Sequence, residues 1–198
     1  MNVQYPEVVM FACTLCLCPS MSDCAMAYSP KAVANFILTQ AFREGIPISP
    51  MKLQKLLYYT QGWHLAFTDT PIFNEQIECW PYGPVVSSVF HHFKLFGKDP
   101  IDRKATDVRP RKVDGRRVFR TVIPVLPDDL PSESREVLDA VWDSYKNLTA
   151  IKLSNMTHAA DGPWREIYDR YSGSPPTGTD IPMELIARYF KAQLEEES

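Results

Sequence analysis

Residues 49–67 read SPMKLQKLLYYTQGWHLAF, and the way this stretch folds decides the rest. Ser49 followed by Pro50 is a helix start, with Ser as the N-cap and Pro at the first helical position, where its missing N–H is harmless. Leu53, Leu56, Leu57, Trp63, Leu65 and Phe67 then fall around most of the helical circumference instead of along one stripe. A helix that is apolar nearly all round belongs in the middle of a domain, so this one is expected to be central and buried.

Working outward, Ser29-Pro30 repeats the same start, and Val33, Phe36, Ile37, Leu38 and Ala41 recur at helical spacing until Gly45. Ile72 to Trp80 alternates loosely and predicts a short strand. Gly83-Pro84 then reads as the start of a third helix, with Val85, Val86, Val89, Phe90 and Phe93 on one face and Gly97 as its cap. Asp114-Gly115, flanked by Val113 and Val118, predicts a hairpin over 108–122 with a type I′ turn. Pro110 makes its first arm an edge strand. After the Pro127-Asp128-Asp129 turn, Val137, Leu138, Val141, Trp142 and Tyr145 mark a fourth helix. A short helix begins at Thr149, Pro163-Trp164 opens another turn of helix, and a last helix runs from about Pro182. The expected fold is mainly α (α+β): a compact domain of about six helices with a small antiparallel hairpin or sheet.

The composition suits that picture. The chain has 198 residues, is 45% hydrophobic and carries a net charge of −3, which fits one globular domain able to bury a core without disulfides. No run of apolar residues is long enough for a transmembrane helix, and a soluble, cytoplasmic protein is expected. Residues 1–25 differ from the remainder: they hold Cys13, Cys16, Cys18 and Cys24 and not one Lys or Arg. A secretory signal would need a basic start. The cysteine spacing lacks the second, distant knuckle of a structural zinc site. This segment is therefore expected to be an N-terminal extension outside the fold, with a start at Met26 and a single domain over 26–198. No metal or cofactor is expected.

No catalytic set stands out. The sequence has no H-E-x-x-H, no Gly-rich phosphate loop and no Gly-x-Ser-x-Gly turn. His158, Asp161 and Cys79 are the residues a His/Cys-dependent enzyme would have to use. Charge is more informative. Residues 103–120 carry +6 through Arg103, Lys104, Arg109, Arg111, Lys112, Arg116, Arg117 and Arg120, while residues 128–143 carry −5. The basic hairpin is either an arm for an acidic partner or nucleic acid, or a solvated ribbon partly neutralised by the acidic helix. A nucleic-acid-binding regulator is the alternative reading, but Phe119 alone offers little for base stacking, and nucleic acid is not the expected partner.

Three blocks carry a resemblance. Lys52 to Tyr59 with Gly62-Trp63-His64-Leu65-Ala66, then Ile77 to Val86 with its Tyr82-Gly83-Pro84-Val85, then Leu153-Ser154 to Thr157-His158 with Gly162-Pro163-Trp164, together resemble the Panacea domain family, the SocA-like antitoxins, some of them described as phage-associated. Met26 to Asn35 is similar to a usual family start. Cys79 departs from the pattern, where members more often carry a small residue, and the basic hairpin falls in a region that varies. The resemblance implies a protein that neutralises a co-encoded protein toxin by direct binding, in some members as an adaptor delivering the toxin to a AAA+ protease such as ClpXP. It implies no catalysis. Helical spacing is expected to set Lys52, Lys55, Tyr59 and His64 near one face. With Trp80, Tyr82, Gly83, Pro84, His158 and Trp164 they form the expected partner-binding surface. Arg111, Lys112, Arg116 and Arg117 form the arm expected to govern partner choice.

Overall fold

The computed structural model describes residues 27–196. The expected N-terminal extension, its four cysteines and the start at Met26 lie outside the described residues. Among those described, seven α-helices and five short strands follow in the order α1 Pro30–Glu44, α2 Pro50–Thr68, β1 Ile77–Trp80, β2 Gly83–Val86, α3 Ser87–Phe93, β3 Asp107–Val113, β4 Arg116–Val122, α4 Ser132–Tyr145, α5 Ala150–Thr157, α6 Pro163–Arg170, β5 Asp180–Ile181 and α7 Met183–Glu196. The architecture is mainly α with a small antiparallel sheet, as the sequence predicts. No helix among the described residues is long and apolar enough to cross a membrane.

α2 is the axle. Ser49 caps it by accepting from the Lys52 N–H, and every residue from Lys52 to Leu65 is buried. α1, α4, α5, α7 and β2 all pack on it. Such burial on every side leaves α2 with no solvent face, so its polar side chains must find partners inside. Gln61 pairs with both backbone groups of Phe73. Trp63 donates to the Tyr145 hydroxyl at 2.9 Å, and Tyr59 stacks on Tyr145 with ring centres 4.5 Å apart.

Gly83-Pro84 does not launch a helix; Gly83–Val86 is a strand paired antiparallel with Ile77–Trp80, and α3 begins only at Ser87. Trp80 pairs with Gly83 across a two-residue Pro81-Tyr82 turn, and Gly83 has φ +101°, a conformation closed to helical residues and cheap only for glycine. The β-branched Val85 and Val86, on opposite faces of the strand, are both buried. The strand expected over Ile72–Trp80 is confined to its last four residues. β5, too short to leave a sequence signal, completes a three-stranded sheet of order β2-β1-β5. The Pro163-Trp164 turn extends into the full helix α6.

The hairpin forms where Asp114-Gly115 predicts it, with φ +49° and +74° at the two turn residues. It stands apart as a separate two-stranded ribbon. Its root is fixed by α1: the Asn35 side chain bonds both backbone groups of Ala105 and the Pro124 carbonyl, and Lys31 pairs with Asp107 at 2.6 Å.

Candidate functional site

The three motif blocks meet at the β1–β2 turn. Four side chains from three helices grip alternate residues of its backbone. The Trp164 indole N–H of α6 donates to the Trp80 carbonyl at 2.8 Å, and the Ser154 hydroxyl of α5 donates to the Tyr82 carbonyl at 3.0 Å. From α2, the Lys55 ammonium donates to the Pro84 carbonyl at 3.2 Å, and the Gln54 side-chain oxygen accepts from the Val86 N–H at 2.7 Å. Gly83 is packed so closely that a Cβ there would lie 2.5 Å from Lys55 Nζ and 2.7 Å from Thr157 Oγ1. The turn is thus a rigid platform, and Tyr82 stands on it 78% exposed.

Around this clamp His158 stacks on Trp164 with ring centres 3.9 Å apart, and Trp164 stacks in turn on Tyr168. Burial, and then the positive charges of Lys55 and Arg165, push the His158 pKa down to about 4, so its ring is neutral at physiological pH. Burial takes Lys55 down to about 7. Trp80, half-buried, meets Phe90 edge-on and donates to the Glu78 carboxylate.

The expected sites divide. Trp80, Tyr82, Gly83, Pro84, His158 and Trp164 do come together with Lys55. The shared accessible face of Lys52, Lys55, Tyr59 and His64 does not exist, because α2 is buried all round and all four side chains are interior. Lys52 turns away from the turn, donating to the Lys146 carbonyl at the end of α4. Tyr59 donates to the Leu153 carbonyl. His64 donates through Nδ1 to the Thr70 carbonyl at 2.7 Å and accepts at Nε2 from Ser134, with burial holding its pKa below the ordinary value. Gln54 and Ser154 also belong to the clamp, although neither is among the expected site residues. Both stand inside the blocks that carry the resemblance, Gln54 in Lys52 to Tyr59 and Ser154 in Leu153-Ser154, each a polar residue buried in the structure.

The residues of the enzymatic alternative do not form a relay. Cys79 is buried, donates to the Trp164 carbonyl, and burial pushes its thiol up to about 11, far from a thiolate at neutral pH. Asp161 is exposed and makes no hydrogen bond to His158 among the described residues. No group of three or more His, Cys, Asp or Glu that could hold a metal ion occurs among the described residues.

The expected basic arm is fully in water: every residue from 108 to 121 is exposed. None of Arg109, Arg111, Lys112, Arg116, Arg117 and Arg120 makes an ion pair within the described residues, with the acidic helix α4 or with any other element.

The family model described as "Antitoxin SocA-like, Panacea domain" matches residues 53–165 of the chain, a span that holds the whole clamp and the ribbon. A curated protein, "Antitoxin SocA" of Caulobacter vibrioides (strain NA1000 / CB15N), is 28% identical over 173 residues, covering 87% of this chain and 86% of that protein. No solved structure matches the chain significantly.

Proposed function

The chain belongs to the SocA-like Panacea domain family, and from that premise we propose that it is an antitoxin that neutralises a co-encoded protein toxin by direct binding, without catalysis, in the cytoplasm. The observation that carries the reading is Tyr82, a large amphipathic side chain held in water on a turn clamped at four backbone groups. Tyrosines on rigid supports lose little entropy on docking and are frequent binding hot spots. Trp80, Tyr82 and His158 supply the contact in this reading. Gly83, Pro84 and Trp164 shape it, and Lys52, Lys55, Tyr59 and His64 support it from inside. The basic arm of Arg111, Lys112, Arg116 and Arg117 selects among partners. Residues 26–198 are the functional unit.

The test uses the product of the neighbouring gene. Tyr82→Ala should unfold like the parent, since the side chain is exposed, yet bind that product at least about tenfold more weakly and lose protection of cells on co-expression. Unchanged binding removes the turn from the interface; a parent chain that binds no neighbouring product overturns the antitoxin reading. Delivery to a AAA+ protease such as ClpXP is the finer version of this mechanism. It predicts that the toxin's half-life shortens when chain and protease are both present, and a half-life that stays constant leaves simple occlusion.

A further inference from the structure

The ribbon has a second property that its charge conceals. Residues directly opposite each other in an antiparallel pair lie on the same face. The register pairs Asp107 with Val122, Arg109 with Arg120, Arg111 with Val118 and Val113 with Arg116, which puts four arginines and three valines on one face, with Asp107 at its root taken up by Lys31. It pairs Val108 with Thr121, Pro110 with Phe119 and Lys112 with Arg117, which makes the other face apolar near the root and basic near the tip. Arg109–Arg120 and Lys112–Arg117 are like charges set directly opposite, an arrangement that destabilises an isolated ribbon.

The two edges differ as well. A two-residue turn closes on Val113 and Arg116 as a hydrogen-bonded pair, and the pattern alternates from there. Val108, Pro110 and Lys112 therefore turn their backbone groups outward on β3, and Arg117, Phe119 and Thr121 do so on β4. Pro110 has no N–H to offer, so the edge of β3 is blunted at its middle. The edge of β4 carries no proline and is open.

We propose that the open edge of β4 accepts an extended, acidic segment of the partner protein as a third strand, with carboxylates beside Arg116 and Arg120 on one face and apolar residues beside Phe119 on the other. This rests on the reading of the ribbon as the partner-choosing arm. Strand addition supplies main-chain hydrogen bonds for affinity and alternate side chains for specificity. A carboxylate beside Arg120 would relieve its repulsion with the opposed Arg109. A second copy of this chain is a poor occupant, because it would bring Arg116, Arg117 and Arg120 against their own kind. A nucleic-acid backbone would satisfy the arginines but leave Val108 and Phe119 without an apolar partner.

The full chain is titrated with a short labelled peptide alternating Glu and Val, with a DNA duplex of random sequence, and with the neighbouring gene product. Binding of the peptide, weakened by added salt, is expected. Phe119→Pro removes one outward N–H and leaves the ladder bonds to β3, so it should weaken peptide binding by at least about tenfold, while Phe119→Ala weakens it less. Arg116→Glu with Arg120→Glu should abolish it. Equal binding by parent and Phe119→Pro overturns the proposal, as does binding of the duplex but not the peptide, or self-association that Phe119→Pro abolishes. If the parent and Phe119→Pro bind the neighbouring gene product equally well, strand addition fails while the antitoxin reading stands. If neither binds it but the peptide behaves as expected, the reading fails and the edge site stands.

Discussion

Lys55 and Arg116 are both cations beside a two-residue hairpin turn, and their surroundings are opposite. At the β1–β2 turn the Lys55 ammonium is 1% exposed and bonded to a backbone carbonyl, and three further side chains from distant helices fix the same loop. At the β3–β4 turn Arg116 is in water, and beyond the root anchored by α1 order comes from Asp114-Gly115 and the register. One turn is held by tertiary packing and tolerates little change. The other is held by local backbone preference, which leaves its side chains free to vary. Residue type alone does not distinguish them; the number of neighbours that must agree does.

The sharpest way to break this contrast is to remove a clamp. Trp164→Ala deletes a buried indole that also donates to the Trp80 carbonyl, and should cost about 3–5 kcal/mol in denaturant unfolding. A loss below about 1 kcal/mol would mean the turn does not depend on its supports. Next come the matched glycines. Gly83→Ala forces φ +101° on an L-residue and drives its Cβ into Lys55 and Thr157, for about 2–4 kcal/mol. Gly115→Ala meets open space and carries only the left-handed backbone penalty of about 1–2 kcal/mol. Equal effects on global unfolding would erase the difference between the two turns.

Protonation sharpens the comparison further. Lys55 titrates at about 7 in the folded chain and near 10.5 when unfolded. Between those values the unfolded chain binds the extra proton, so stability rises with pH across that window and is insensitive to this group below it. Lys55→Met removes that slope. At pH 7 it changes stability by only about 1 kcal/mol, because a lost bond to Pro84 offsets relief from a buried charge. A variant that keeps the slope would show that another group causes it. The smallest effect belongs to the ribbon: charge reversal at Arg111, Arg116 and Arg117 should leave the unfolding midpoint almost unchanged, since exposed charges contribute little to folding. If the triple variant fails to fold, the ribbon is part of the core.

Much of the frame was legible. Ser49-Pro50, Ser29-Pro30, Thr149 and Asp114-Gly115 speak through local chemistry, and their elements begin where those residues stand. Gly83-Pro84 misled because a proline after a small residue starts a helix or a hairpin strand equally well. The choice was made by pairing with Ile77–Trp80, which local sequence does not encode. The site was legible as a meeting of three blocks but not in its orientation. A helix apolar nearly all round has no hydrophobic phase from which to tell which way Lys55 or His64 points.

The clamp also dictates an order of events at the ribosome. Its grips come from Gln54, Lys55, Ser154 and Trp164, so the turn at residues 81–82 is synthesised long before half of its supports. A nascent chain that has emerged only as far as α4 carries Tyr82 on a loop with two of its four anchors missing and leaves α2 without α5 to cover it. The platform therefore cannot mature domain-first from the N-terminus, as many chains do. It becomes competent late and all at once, and an aborted translation product ending before Trp164 would present the loop without its shape.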